Sequence, residues 1–294
     1  MAYLMSKDLN KQIQSENLSQ IIGGDTSVLT GAELTAIAEA QSYLVQKYDL
    51  SQEFKDLTVW DNAIAYSATD RIFLNATQYN PAATYAIGSQ ALQAGSVYRC
   101  KTAITVAEPF NATKWDLLGA QWDMFNAKYP YPLFDYNTQY LLNDKVYWKG
   151  KVYTCAIATQ PLGQSTALQF RAIDNLPMSN VAPDNINNGL QRWGSGVAYS
   201  VTAGTLPTNT TYWTPGDSRS QQLVTYIVDI ALYHVHSRIS PRNIPDLRVK
   251  RYDDAKAWLK MAGRGDITAN IPMLQPTSGQ RVRYGGNIKN INSY

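Results

Sequence analysis

The segment SQALQAGSVYRC at residues 89–100 recurs without gaps 55 residues later, as DKVYWKGKVYTC at residues 144–155. The copies share Gly95 with Gly150 and the ending Val-Tyr-x-Cys, and upstream Tyr85 matches Tyr140. In each copy a glycine separates two short runs of alternating residues, which is the pattern of two β-strands joined by a tight turn. The repeat therefore predicts two small β-modules, each built on a hairpin.

A second shared pattern closes each predicted module. The sequence Pro-x-Asn-x-Thr-x-Trp occurs at residues 109–115 and again at 207–213. We expect Trp115 and Trp213 to plug the two thin cores, because a large aromatic ring supplies much of the buried area in so small a module. A long loop rich in Asn, Pro and Gly then precedes Trp213 in the second module. The predicted modules cover about residues 79–119 and 136–217.

The two cysteines hold equivalent positions in this repeat. We expect Cys100 and Cys155 each to fill the core of its own module as a reduced thiol, rather than to bridge to the other. The two histidines, His234 and His236, stand two residues apart in a helical stretch and therefore point to different faces. The sequence thus predicts no metal site and no cofactor.

Helical periodicity dominates the chain before the repeats. A long amphipathic helix is predicted from Thr30 to about Leu50. Ser6 is the predicted cap of an earlier helix, and Ile22-Gly23 is its predicted end. The stripe of the long helix that we expect to face a core consists of Leu34, Ile37, Ala38, Leu44, Val45 and Tyr48.

Two more helices are predicted after the repeats. Ser218 and Gln221 fit a capping box for the first helix, and the prolines at 241 and 245 end it. The second helix begins near Asp246 and ends at Gly263 or Gly265. The predicted apolar faces are Leu223, Ile227, Ile230, Ala231 and His234 in the first helix, and Tyr252, Ala255, Leu259 and Ala262 in the second.

These patterns predict an α+β protein of unusual layout. Residues 1–57 and 218–270 form a discontinuous α-helical bundle. A β-rich insertion of two small repeat modules, residues 58–217, interrupts the bundle. Residues 271–294 form an extended C-terminal tail, because they are rich in Gly, Asn, Ser and Arg and show little periodicity.

Charge is distributed unevenly along the chain. The net charge is −4 over residues 1–57, 0 over 58–217 and +7 over 218–294, which gives the total of +3. Such asymmetry suits contacts between an acidic and a basic end of neighbouring copies, or a basic tail near a polyanion, although charges that merely cluster on a solvated surface give the same pattern. The near-neutral total and 45% hydrophobic content argue against a disordered or strongly nucleic-acid-seeking chain.

The sequence does not favour an enzyme or a membrane protein. It contains no Gly-rich phosphate loop, nucleophile elbow or metal-binding His pair, and the adjacent Asp253 and Asp254 diverge on a helix. No apolar run reaches the roughly 20 residues that a membrane span requires. The N-terminus lacks the basic and apolar regions of a secretory signal.

The predicted helical segments resemble the head-to-tail connector, or adaptor, family of tailed bacteriophages. The similarity begins with Tyr3-Leu4 and the Lys-Asp-Leu run at residues 7–9, and it continues with SYLVQKYDL at 42–50 and VDIALYH at 228–234. Its most specific part is RYDDAKAWL at 251–259, closed by Gly-Arg-Gly at 263–265. The resemblance covers a little over a third of the chain.

This resemblance implies a structural virion protein and not an enzyme. Members of the family form a homo-oligomeric ring, of twelve subunits, that lies in the neck between the portal protein and the tail or stopper proteins and continues the DNA channel. The implied location is the virion neck, after assembly in the host cytoplasm. DNA would pass through the lumen, in genome packaging and ejection, without specific binding. The residues expected at portal or subunit interfaces are Arg248, Arg251, Tyr252, Asp254, Trp258, Arg281, Arg283 and Tyr284.

The repeats resemble the small aromatic-rich carbohydrate-binding modules of chitinases. The similarity rests on the Val-Tyr-x-Cys ending and on the Trp that follows a proline. It implies an alternative function, in which the protein binds carbohydrate or decorates the virion and Tyr147 and Trp148 stack on sugar rings. The competing interpretation assigns those rings to the module core. The basic tail, with Arg281, Arg283 and Lys289, could make weak, salt-sensitive contacts to DNA.

Overall fold

The structure is a computed structural model, and it describes residues 3–160, 178–179, 182–185, 192–239 and 242–274. The chain is mixed α+β, as the sequence predicts. It divides into two compact units, one formed by Met1–Tyr3 with Lys55–Ser218 and the other by Leu4–Phe54 with Arg219–Tyr294. The described strands belong to the first, here named the β-rich unit, and the described helices to the second, the helical unit.

Local capping explains where the helices of the helical unit begin and end. Gly23 follows the second helix in the left-handed conformation, with φ of 61°, which its missing Cβ permits. Asp25 starts the next helix by accepting a hydrogen bond from the Ser27 amide at 2.9 Å. Gly265, one of the two predicted glycine caps, ends the last helix with φ of 91°. The helices are α1 (Ser6–Leu9), α2 (Ser15–Ile22), α3 (Thr26–Leu44), α4 (Gln221–Ile239) and α5 (Asp246–Arg264).

Helix α4 is the centre of the helical unit. It packs against α3 and α5 along its length and also contacts α1 and α2. Because neighbours surround it, α4 buries residues on several sides rather than along one stripe. Of its predicted face, His234 alone remains partly exposed. The buried residues of α4 are Leu223, Val224, Ile227, Val228, Asp229, Ile230, Ala231, Leu232 and Val235.

The buried face of α3 differs from the predicted one. Leu34 and Val45 of the predicted stripe are 48% and 56% exposed, and Ala38 is also exposed, whereas Leu44 is buried as expected. A helix with small side chains on one side lets its neighbours approach more closely, so that side packs inward although it is less hydrophobic. The residues of α3 that face the core are Val28, Ala32, Glu33, Ala36, Ala40 and Leu44.

Two predicted helix starts are wrong by a few residues. Helix α1 includes Ser6 as its first residue, and Met5 occupies the N-cap position. Helix α4 begins at Gln221, so Ser218 does not cap it. The Ser218 hydroxyl instead accepts a hydrogen bond from Arg71 Nε at 2.9 Å and donates one to Asn126 Oδ1 at 2.6 Å.

Small sheets make up the β-rich unit. Their strand orders are β1-β2-β6-β12, β3-β4-β5 and β11-β8-β7, and β9 pairs with β10. The strands are β1 (Leu57–Val59), β2 (Arg71–Phe73), β3 (Gln90–Gln93), β4 (Ser96–Cys100), β5 (Trp115–Ala120), β6 (Met124–Ala127), β7 (Lys145–Trp148), β8 (Lys151–Thr154), β9 (Thr159–Gln160), β10 (Met178–Ser179), β11 (Val197–Ala198) and β12 (Trp213–Pro215).

Both predicted hairpins are confirmed. Strands β3 and β4 are antiparallel, as are β7 and β8. The connecting residues Ala94-Gly95 and Lys149-Gly150 all have positive φ, between 45° and 83°. Two consecutive residues with positive φ form the type I′ turn, whose twist matches that of the flanking strands.

A third copy of the module, which the repeat in the sequence does not reveal, is built from β2, β6 and β12. Its first two strands pair in the same register as the two hairpins. The central pairs are Ile72 with Phe125, Ala91 with Tyr98, and Val146 with Tyr153. The same tyrosine turn precedes all three modules, since the hydroxyl oxygens of Tyr66, Tyr85 and Tyr140 accept hydrogen bonds at 2.6, 2.8 and 2.7 Å from the amides of Asp61, Asn80 and Asp135.

Each module is closed by a buried tryptophan opposite the end of its middle strand. The pairs are Trp213 with Ala127, Trp115 with Cys100, and Trp193 with Cys155. The assignment of Trp213 to the second sequence repeat is therefore wrong, because Trp193 closes that module. Trp213 closes the module of β2 and β6, whose first strand precedes the other two modules in the chain and whose last strand follows them.

The predicted role of the cysteines is confirmed. Both are free and 0% exposed, and they lie in separate hydrophobic clusters. Each thiol donates a hydrogen bond at 3.1 Å to a backbone carbonyl two residues later, Cys100 to Thr102 and Cys155 to Ile157. Burial raises the pKa of both thiols.

Candidate functional site

Two of the predicted interface residues surround a buried aspartate inside the helical unit. Arg251 Nη1 lies 3.6 Å and Arg248 Nη1 3.9 Å from Asp229 Oδ1 of α4. Arg248 also donates a hydrogen bond from Nη2 to the Gln12 carbonyl at 2.9 Å. Burial raises the pKa of Asp229 in spite of the two guanidinium groups. These arginines thus connect α5 to α4 and to the segment before α2, and only Arg251 retains substantial exposure.

Tyr252 belongs to a partly exposed aromatic cluster. Its ring stacks on Tyr233, with centroids 4.0 Å apart and an interplanar angle of 4°. Its hydroxyl donates a hydrogen bond to Glu39 Oε1 at 3.1 Å, and His234 Nε2 lies 3.3 Å from the other oxygen of Glu39. Burial, together with the Glu39 charge, raises the pKa of Tyr252 to about 12. The hydroxyl therefore remains a donor at neutral pH and links α5 to α3.

The remaining predicted interface residues differ in position. Trp258 is 7% exposed and its ring lies 4.9 Å from that of Tyr226, so it is a core residue. Asp254 is exposed. The tail residues predicted at the same interface, Arg281, Arg283 and Tyr284, lie outside the described residues, as does Lys289.

Much of the acidic character of the N-terminal segment is internal. Asp8 forms an ion pair with Arg219 at 2.8 Å, in which the side chains are 1% and 0% exposed. The other two buried acids accept hydrogen bonds from backbone amides, Glu33 from Leu4 at 2.8 Å and Glu53 from Ser220 at 2.9 Å. The predicted contact between acidic and basic ends of neighbouring copies therefore has less surface charge to draw on than the sequence indicates.

An uncharged outer face of α3 is the surface that stands out in the helical unit. Its two charged residues, Glu33 and Glu39, are buried or held by neighbouring side chains. Hydrophobic residues form a line along this face, at Leu34, Ala38 and Val45. The fully exposed residues of α3 and the two positions after it are Thr26, Ser27, Thr30, Gly31, Leu34, Thr35, Ala38, Ser42, Val45 and Gln46.

The aromatic residues predicted to stack on sugars are engaged within the β-rich unit. Tyr147 is 7% exposed, with Tyr129 at a ring distance of 5.1 Å. The Trp148 indole nitrogen donates a hydrogen bond to Asp184 Oδ1 at 2.8 Å, and its ring packs edge-on against Phe134 at 5.6 Å. These contacts favour the core interpretation for Tyr147, whereas sugar binding by Trp148 stays a prediction.

The described part of the chain shows no grouping suited to a metal ion. Its His, Cys, Asp and Glu side chains do not gather in threes or more. His234 faces Glu39, and burial lowers the pKa of His236. None of the helices described is both long and apolar enough to cross a membrane.

No protein-family model matches this sequence, and no curated protein matches it.

Proposed function

We propose that the protein is a structural virion component, a head-to-tail connector that assembles as a ring between the portal protein and the tail or stopper proteins. The helical unit is the ring-forming bundle, which the β-rich unit interrupts as an insertion. DNA passes through the lumen without sequence-specific binding. The sequence resemblance of residues 42–50, 228–234 and 251–259 motivates this proposal.

The closure of the helical unit supports the insertion. The chain leaves this unit after Phe54 and returns at Arg219. Glu53 Oε1 accepts a hydrogen bond from the Ser220 amide at 2.9 Å, so the two ends lie side by side. Arg219 pairs with Asp8 in the same buried region. A bundle whose break is bonded across in this way needs no inserted unit to bring its halves together.

The observation that carries the ring assembly is the uncharged outer face of α3. Subunit interfaces are depleted of charged residues at their centres, while exposed helices of monomers normally carry them. Leu34 and Val45 are 48% and 56% exposed in a single copy. Contact with a neighbouring copy would remove these side chains from water.

A charge placed on this face tests the assembly. Leu34→Glu should convert the oligomer to monomers, because it would bury a carboxylate at an apolar contact. Leu247→Glu is the matched control, since Leu247 is 59% exposed in the first turn of α5, next to charged residues. Native mass spectrometry and light scattering report the subunit number. A monomeric wild-type protein, or a Leu34→Glu variant that assembles normally, would contradict the assembly.

Imaging tests the location. Electron microscopy of virions labelled through this protein should show it in the neck, between head and tail. Labelling confined to tail fibres or to the capsid surface would contradict the connector function.

Excision of the β-rich unit tests the architecture. A variant in which a short Gly-Ser linker replaces residues 55–218 should retain its helices, because the Glu53–Ser220 contact already closes the gap. Circular dichroism and cooperative unfolding measure this. An unfolded or aggregated variant would show that the helical unit depends on the insertion.

A further inference from the structure

One module of the β-rich unit contains a cavity of about 350 Å³ beside its closing tryptophan. The module is built from β7, β8 and β11, and the cavity lies against the segment that precedes β11. This volume is at the lower end of the range of ligand pockets, which suits a molecule of the size of a monosaccharide. Its lining includes Lys151, Tyr153, Asp184, Arg192 and Trp193.

The acidic group of the lining is already neutralised. Asp184 Oδ2 lies 2.8 Å from Lys149 Nζ, and Oδ1 accepts the Trp148 indole hydrogen bond at 2.8 Å. These hydrogen bonds hold the pKa of Asp184 below its usual value. The other charged groups of the lining, Lys151 and Arg192, are both positive. The cavity therefore has the electrostatic character of an anion site.

Arg192 is the notable group because it is buried. The residue is 7% exposed, and burial lowers the pKa of its guanidinium. Even so, an arginine keeps its charge in a protein. An oxyanion in the cavity would offset the cost of desolvating that charge, and a guanidinium matches carboxylate or phosphate oxygens in a two-pronged geometry.

Comparison of the three modules shows that this arrangement is not a property of the repeat. The residue before the closing tryptophan is Tyr212 in the first module and Lys114 in the second. Lys114 forms an ion pair with Glu108 at 2.8 Å, which neutralises it within its own module. Arg192, in the third module, instead lines a cavity that also contains the exposed Lys151.

We infer that this cavity binds a small molecule that carries an oxyanion, a carboxylate or a phosphate, with Arg192 as the main ligand and Lys151 at the cavity mouth. Tyr153 and Trp193 supply the apolar wall. Gly196 permits the close approach of the backbone on that side, since a Cβ there would lie 2.5 Å from the Tyr153 ring.

The test uses the full-length protein and three probes that share a sugar ring. Glucuronate carries a carboxylate, glucose 6-phosphate carries a phosphate, and glucose is neutral. Isothermal titration calorimetry should show binding of at least one acidic probe and none of glucose. The acidic probe that binds identifies the oxyanion, and equal binding of both indicates a site that does not distinguish them.

Two variants connect the binding to the cavity. Arg192→Gln should weaken binding roughly 10- to 100-fold, the range expected for losing a hydrogen bond to a charged group. Lys151→Glu should weaken it as well, and because Lys151 is exposed this variant remains informative if Arg192→Gln fails to fold. Lys145→Glu, an exposed lysine of β7 outside the lining, is the matched control and should bind normally.

The inference is overturned if neither acidic probe binds, or if Lys151→Glu binds the acidic probe as tightly as Lys145→Glu does.

Discussion

Alanine substitutions at two helical glycines, Gly31 and Gly263, should change the stability of the helical unit in opposite directions. A Cβ at Gly31, in α3, would have no atom within 4 Å. A Cβ at Gly263, in the last turn of α5, would overlap the backbone carbonyl oxygen of Tyr43 in α3. Gly263 is thus the point at which α5 approaches α3 most tightly among the glycines of these helices.

The magnitudes follow from two competing effects. Replacing glycine by alanine within a helix stabilises it by about 0.5–1 kcal/mol, because the unfolded chain loses freedom. Gly31→Ala should show this gain in full. Overpacking costs about 1–3 kcal/mol, and at Gly263 it opposes a helix gain that is small near a helix end. Gly263→Ala should therefore be destabilised by about 1–2 kcal/mol, which is the overpacking cost less the remaining gain.

Urea unfolding followed by far-ultraviolet circular dichroism measures both changes, because the described helices all belong to one unit. Adding Tyr43→Ala to Gly263→Ala should not restore stability, since the obstructing atom belongs to the backbone. The reasoning is refuted if Gly263→Ala is as stable as the wild type, or if the two alanine variants shift in the same direction.

Three other outcomes are expected. Arg219→Ala breaks a fully buried ion pair and should lower the free energy of unfolding by about 3–5 kcal/mol, whereas Lys11→Ala, which removes an exposed contact to the same carboxylate, should change it by under about 0.5 kcal/mol in the same urea titration. Cys100 and Cys155 should react with a thiol reagent only as fast as the protein opens, because they are buried and their pKa values are raised; rapid labelling of the native protein would disagree. Burial raises the pKa of Asp229 above 3.8, so the folded protein holds this proton to higher pH than the unfolded chain does, and stability relative to Asp229→Asn should fall as pH rises through that interval; a difference independent of pH would contradict this.

The candidate interface shows how far sequence periodicity reaches in this chain. It identifies α5 and most of its buried residues correctly, since Ala255, Leu259 and Ala262 recur at helical spacing. It cannot separate Trp258, a core residue, from an interface residue, because an aromatic side chain suits both positions. Nor can it show that Arg248 faces a buried aspartate, since Asp229 comes from another helix.

The cavity at Arg192 was not predicted from the sequence. Its lining combines residues from 151–153, 183–185 and 192–196, and the sequence carries no local motif that joins them. The one available signal was the repeat itself, since a basic residue precedes the closing tryptophan in two of the three modules. Recognising that signal required knowing that Trp193 closes the third module.

The sequence by itself determined the features that depend on neighbouring residues. These are the type I′ hairpins at Gly95 and Gly150, the helix ends at Gly23 and Gly265, and the separate burial of the two cysteines. Each follows from the conformational freedom of glycine or from an alternation pattern over a few residues.

Tertiary structure alone decided which of two apolar faces of α3 became the core and which tryptophan closed which module. Helical spacing marks both faces as apolar, and only contact with α4 and α5 selects the alanine face. The strand that begins at Trp213 pairs with β6, more than 80 residues earlier, across the whole of another module. Such pairings are set by register and packing between distant segments, which no local pattern encodes.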